Sequence, residues 1–252
     1  MPVKFKTEIY FLAILICFNG CTSSNEHIAV KVKNTKPLTL HKETPTQHDT
    51  SSLERLFLEK GLLNINSLDS TIRVVLHYAT TQNFLNKPLY NGLNDCYLPC
   101  EVGIKLSNAQ YFLHEQFPNY HLIVFDAVRP LHIQKQMWDE LDMPSKEKIN
   151  YLAHPDDISL HNYGAAVDVG IIGSNDVLLE MGTPFDFFGE LSEPKKEQEF
   201  LLNGKLTKEA LTNRLLLRSV MVKAGFMTIT TEWWHFNSST KIIAAEKYEL
   251  IE

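Results

Sequence analysis

Two short stretches carry residue types at spacings that suit a metal centre. In "SLHNYGAAVDVGI" (159–171), His161 precedes a turn-forming Asn-Tyr-Gly, and Asp168 lies in the β-branched run that follows. In "TEWWHFN" (231–237), Glu232 stands three residues before His235, with Trp233 and Trp234 between them. Two imidazoles and one carboxylate form a set suited to zinc, with a fourth position left for water, whose pKa the ion lowers towards ~7. Glu232 is the candidate general base. Each residue also has a plainer reading as a satisfied core histidine, a strand-end aspartate or an exposed glutamate; their joint occurrence points to His161, Asp168 and His235 as metal ligands.

The elements that must position these groups are legible as patterns. Along 166–171, Val167, Val169 and Ile171 alternate onto a core face, while Asp168 shares the other with Ala166 and Gly170, small neighbours that leave room for an ion. On a regular strand Glu232 and His235 would face opposite sides, so a bulge or turn is predicted at the tryptophans. "TIRVVLHYA" (71–79) and "YHLIVFDAV" (120–128) read as strands. A helix is predicted through "EVGIKLSNAQYFLHEQF", with Val102, Leu106, Ala109 and Leu113 on its apolar stripe, and another over about 133–141. The clearest helix runs over 208–224, capped by Thr207, stopped by Gly225, with Leu211, Leu215 and Val222 on one face. The fold class is α+β in a single domain.

At 252 residues and 44% hydrophobic, the chain can bury a sizeable core, and a formal net charge of -6 without a basic run argues against a nucleic-acid partner. Lys4 and Lys6 precede the apolar "IYFLAILICFNG" and Cys21, the pattern of a lipoprotein signal peptide over 1–20. The expectation is export, a lipid on Cys21 as membrane anchor facing the periplasm, a Ser/Thr/Lys/Asn-rich tether over 21–52, and a catalytic domain over 53–252; a plain secretory signal is the alternative. The histidines of the tether, His27, His41 and His48, read as solvated. In an oxidising compartment Cys96 and Cys100 could pair, since on a helix they would lie about 6 Å apart, near the upper limit for a disulfide; two free thiols at a helix start is the other reading. The sequence specifies no oligomeric state.

Taken together, "SLHNYGAAVD" and "EWWHF", with "YATTQNF" (78–84), "FDAVRP" (125–130), "MGTPFDFF" (181–188) and "NRLLLRSVMVKAGF" (213–226), resemble the D-alanyl-D-alanine dipeptidase family. This is the VanX-type branch of the zinc D,D-peptidases, related to D,D-carboxypeptidases and the hedgehog-like fold. The resemblance implies a mostly antiparallel sheet with flanking helices, one Zn2+ held by His161, Asp168 and His235, and Glu232 as catalytic base. It further implies that Arg129 stabilises the transition state, Asp186 receives the ammonium of a small D,D-dipeptide, and Ser159 and Tyr78 contact substrate. For Arg129 a structural ion pair with Asp126 is the competing reading, and for Asp186 a loop-capping role. Tyr163 departs from the family, many members having arginine there, and export departs from its better-known cytoplasmic members. The alternatives are a D,D-carboxypeptidase acting on longer wall peptides and a lipoprotein that binds wall peptides without turnover.

Overall fold

The computed structural model describes residues 51–149 and 151–252. The signal-like run, Cys21 and the tether as far as Thr50 lie outside the described residues. The described chain opens with α1 (Ser52–Glu59), whose first turn is capped by Ser51 accepting the Glu54 N–H. There follow β1 (Leu63–Asn64), α2 (Ile65–Leu68), β2 (Arg73–Val74), β3 (Tyr97–Leu98), α3 (Cys100–Gln116), β4 (His121–Asp126) and α4 (Leu131–Glu140). The second half adds α5 (Ser145–Lys148), β5 (Ala166–Ile172), α6 (Glu197–Leu202), α7 (Lys208–Lys223), β6 (Met227–Thr228), β7 (His235–Asn237) and α8 (Lys241–Lys247). Among the described residues, no helix is long and apolar enough to cross a membrane.

One sheet organises the domain, in the order β2-β4-β5-β7-β6, with β2 parallel to β4 and the other pairs antiparallel. This is the expected mostly antiparallel α+β arrangement. Every residue of β5 is buried, as suits a central strand covered on both faces, and α3 packs on β4 and α7. The predicted stripe on α3 is borne out: Val102, Leu106, Ala109 and Leu113 are all buried.

The register between β4 and β5 shifts by one residue between Val124 and Asp126, so Phe125 is the extra residue of a bulge. Beyond it Asp126 pairs with Asp168, and Asp168 pairs with His235 on β7. Three polar residues on adjacent strands thereby fall in one row at the end of the sheet.

Several expectations need correction. The run 71–79 gives only the two-residue β2, because the chain then turns into a 3₁₀ segment, His77–Ala79. The inward face of α7 differs from the one its spacing predicts: Leu215 and Val222 are exposed, and the buried stripe is Ala210, Arg214, Leu217 and Met221, with Leu211 at its edge. Cys96 and Cys100 are both free, since Cys96 lies buried before β3 and only Cys100 begins the helix. Gly170 does not clear space for an ion: a Cβ there would lie 2.9 Å from the Phe125 ring, which occupies that side of the strand.

Candidate active site

His161 sits on a 3₁₀ turn, Leu160–Tyr163, fixed at both ends. Ser159 caps it, its Oγ accepting the His161 N–H at 3.3 Å, while Asn162 Oδ1 accepts the Ser159 N–H at 2.6 Å. Gly164 closes it at φ 64°, where a Cβ would come within 2.9 Å of Pro99 and Val128. This turn is tied to the "DAVRP" segment: Arg129 N–H donates to His161 O at 3.0 Å, and Asn162 Nδ2 donates to Arg129 O at 2.7 Å. Tyr163, the departure noted above, packs against Ala165 and Ala244.

The tryptophans explain how Glu232 and His235 converge. The chain leaves β6 at Thr228 and regains strand geometry only at His235, so the predicted interruption is present. Trp233 Nε1 donates to Thr183 Oγ1 at 2.8 Å, and Val169 N–H donates to Trp234 O at 3.0 Å. Held in this way, the bend brings Glu232 Oε2 to 3.9 Å from His235 Nδ1.

His161, Asp168 and His235 meet. His235 Nδ1 lies 3.0 Å from Asp168 Oδ1 and 3.2 Å from His161 Nε2, and His161 Nε2 lies 3.5 Å from Asp168 Oδ1. The other nitrogen of each ring is engaged, His161 Nδ1 with the Ala127 carbonyl at 2.6 Å and His235 Nε2 with Asn237 Oδ1 at 2.8 Å. With those acceptors each ring carries its proton on the far side, so both inward nitrogens present lone pairs. Two lone pairs and a carboxylate oxygen facing one another are repulsive unless a cation stands between them. Zinc at its usual bond lengths spaces tetrahedral donors about 3.3–3.5 Å apart, close to these separations. The donor set and its outer partners fit a divalent metal.

Charge around this point is strongly shaped. Burial opposes ionisation of Asp168, yet the imidazoles, His161 before His235, hold its carboxyl well below the usual range. Burial pushes Glu232 up to about 7 against the pull of His235. Burial likewise raises Asp186 to about 7, against the Tyr78 hydroxyl that donates to Asp186 Oδ2 at 2.6 Å. Burial works against charge on Arg129, but Asp126 together with Tyr78, Tyr90 and Asp168 reverses the balance. Arg129 Nε and Nη2 donate to Asp126 Oδ2 at 2.9 and 2.6 Å, and its guanidinium lies 5.1 Å from the Tyr78 ring centre. The Asp126 ion pair of the competing reading is therefore present. Arg129 still reaches the site, with Nη2 3.8 Å from Asp168 Oδ2.

A cavity of about 320 Å³ is lined by all eight candidates: Tyr78, Arg129, Ser159, His161, Asp168, Asp186, Glu232 and His235. Residues 58–251, which contain all of them, match the Peptidase M15 family, described as D-ala-D-ala dipeptidase. The chain belongs to this family. Membership makes the protein a peptidase. Relatives within the family include the D-alanyl-D-alanine dipeptidase of Escherichia coli (strain K12), 27% identical over 175 residues, which cover 69% of this chain and 83% of the relative. That of Enterococcus faecalis (strain ATCC 700802 / V583) is 28% identical over 194 residues, covering 71% and 92%. The Synechocystis dipeptidase is 27% identical over 183 residues, covering 62% and 74%.

Sequence reading of this peptidase missed four contributors. Asn237 orients His235 and lies two residues on in the same strand, so alternation places it on the same face. The Ala127 carbonyl orients His161 and carries no side-chain signal at all. Tyr90, in a loop without periodicity, donates to Asp126 Oδ1 at 2.5 Å and completes the support of Arg129. Tyr151 borders the cavity and stacks on Phe188, their ring centres 4.6 Å apart.

Proposed function

We propose that the protein hydrolyses D-alanyl-D-alanine, or a closely related short D,D-peptide, with one zinc ion held by His161, Asp168 and His235. The observation that carries this reading is the convergence of three electron-pair donors with Glu232 and Arg129 around one cavity. Zinc bound there would polarise the scissile carbonyl and acidify the attacking water. Glu232, 3.9 Å from His235, takes the proton of that water and returns it to the leaving amine. Its raised pKa near neutrality suits a group that must both accept and give up a proton. Arg129, fixed by Asp126, presents its guanidinium to the carbonyl oxygen as negative charge develops on it. Asp186, steadied by Tyr78, receives the substrate ammonium. Ser159 contributes mainly by capping the turn that carries His161.

The sequence pattern at Cys21 supports a further part of the proposal: a lipid-anchored, periplasm-facing enzyme whose substrate lies outside the inner membrane. Replacing Cys21 by Ser should release the protein from the membrane fraction.

The deciding experiment measures metal content and D-alanine release by the wild type and by Glu232→Ala. The variant should keep about one zinc per chain and lose ~10²–10⁴-fold or more in kcat. Full activity in the variant removes Glu232 as the base. A wild type that binds wall peptides and zinc without turnover makes the protein a binding lipoprotein instead.

A further inference from the structure

Asp186 is held in a backbone conformation that residues with a Cβ disfavour. Its φ is 58°, in the left-handed region that aspartate enters more readily than most residues but at a cost. Such a conformation persists where the surroundings fix it, and here it is restrained at both ends. At the side-chain end, the Tyr78 hydroxyl donates to Asp186 Oδ2 at 2.6 Å. At the main-chain end, the preceding residue, Phe185, is buried in a cluster of rings. Its ring centre lies 5.0 Å from that of His77, 5.1 Å from Phe125, 5.5 Å from Trp234 and 6.1 Å from Tyr78, the contacts with His77, Trp234 and Tyr78 being edge to face. Every one of these neighbours is a site residue or adjoins one. Tyr78 lines the cavity and His77 precedes it; Phe125 precedes Asp126, which fixes Arg129; Trp234 lies between Glu232 and His235. A second tie, from Trp233 Nε1 to Thr183 Oγ1 at 2.8 Å, joins the same two segments. Phe185 itself does not line the cavity, so it acts on a substrate only through what it holds.

A dipeptide carries its amino group on the carbon next to the scissile carbonyl. The reach from that carbonyl to the nitrogen is set by covalent geometry, so a carboxylate held at one place can test for it. We propose that Phe185 is the positioning residue that fixes this place, making the enzyme selective for an amino group on the adjacent carbon against one carried a carbon further out. The proposal rests on the reading of the site given under Proposed function. An added methylene displaces the ammonium by up to roughly 1.5 Å, one C–C bond, and the packed rings keep Asp186 from following it. A misplacement of about 1 Å costs on the order of 10²-fold in rate where the receiving group cannot adjust. A smaller, flexible side chain at position 185 lets Asp186 relax from its left-handed conformation, so the α-amine is held less well and the distinction fades. His161 keeps its Ala127 carbonyl, His235 its Asn237 amide and Arg129 its Asp126 carboxylate, so turnover of bound substrate is spared.

The test uses the zinc-loaded protein with D-Ala-D-Ala and its isomer β-alanyl-D-Ala, in which the amino group stands one carbon further from the scissile carbonyl. For the wild type, kcat/KM on the isomer should be lower by about 100-fold or more. In Phe185→Leu, with zinc content confirmed, KM for D-Ala-D-Ala should rise about tenfold with kcat within about threefold, and the ratio between the two substrates should fall to about tenfold. Phe125→Leu removes a ring from the same cluster on the side of Arg129; it should lower kcat on both substrates alike and leave their ratio unchanged. If Phe185→Leu does not fold, Phe185→Met, a flexible apolar side chain that fills space without the ring, is read in its place. A wild-type kcat/KM on the isomer within about tenfold of that on D-Ala-D-Ala would overturn the proposal and leave the dipeptidase reading standing. A Phe185 variant that loses kcat equally on both substrates with their ratio intact would make Phe185 ordinary core and overturn the proposal as well. Absence of D-Ala-D-Ala hydrolysis by the wild type would sink the dipeptidase reading itself.

Discussion

Two arginines are buried in this domain, and they are used in opposite ways. Arg129, at the cavity end of the sheet, gives Nε and Nη2 to Asp126 Oδ2 and sits over the Tyr78 ring, and its guanidinium borders the cavity that His161, Asp168 and His235 line. Arg214, on α7, gives Nε to Met181 O at 2.5 Å and Nη2 to Leu191 O at 3.0 Å, keeps Nη1 3.5 Å from Glu197 Oε1 without a hydrogen bond, and lies 5.8 Å from the Trp233 ring centre. Their electrostatics differ accordingly. At Arg214 burial outweighs the nearby Glu197 and the pKa falls, whereas at Arg129 burial is the largest single influence but the surrounding acidic groups, Asp126 foremost, together overcome it and the pKa rises. A buried guanidinium bonded to carbonyls clamps two stretches of backbone, here the two flanks of the loop that carries Asp186. One locked by a carboxylate beside a cavity has charge held ready for something that enters. Burial alone therefore does not identify a functional arginine; the identity of its acceptors and the space beside it do.

That contrast can be broken by experiment, beginning where the effect on turnover is largest. Arg129→Lys keeps a cation beside the buried Asp126 but loses the planar fork, so kcat should fall ~10²–10³-fold with little change in melting temperature. A comparable loss of melting temperature would make Arg129 a clamp like Arg214. Asn237→Ala should weaken zinc binding ~10–100-fold, read by competition with a chelator, because His235 loses the acceptor that sets its inward lone pair. Next comes pH. The Asp186 carboxyl, raised to about 7, gains a proton as pH falls through that value, so KM for D-Ala-D-Ala should rise several-fold between about pH 7.5 and 6. In Asp186→Asn, KM should be high throughout and lose this acid limb. Smallest in its effect on turnover is Arg214→Lys: kcat of the folded enzyme should stay within about twofold, while lost hydrogen bonds to buried carbonyls cost about 1–3 kcal/mol. At roughly 2–4 °C per kcal/mol for a domain of this size, a thermal melt would resolve that loss.

Residue type and local period made much of this legible. Alternation in "AVDVGI" identified both the core strand and its carboxylate, and the clash between strand geometry and the Glu232–His235 spacing foretold the bend at Trp233 and Trp234. The two long helices are legible to within a residue or two, α3 from its apolar stripe and α7 from its Thr207 cap. Errors arose where tertiary contacts decide. Leu215 and Val222 follow helical spacing as well as the buried residues do, but the face turned inward on α7 is centred on Arg214, which a hydrophobic pattern cannot select. The run 71–79 is strand-like in composition, yet its second half turns so that the Tyr78 hydroxyl can meet Asp186, 108 residues away. Small size at Gly170 serves Phe125, the residue extruded by the bulge in β4, and not an ion. No local pattern encodes that bulge.

The unequal anchoring of the two imidazoles has an evolutionary consequence. His161 is oriented by a peptide carbonyl, which every amino acid possesses, so no single codon change at Ala127 deletes that acceptor. His235 depends on the amide of Asn237, which one nucleotide change can replace. Inherited variation that retunes ion affinity therefore has an easy route through one half of the centre, and only a difficult one, by displacing the main chain, through the other.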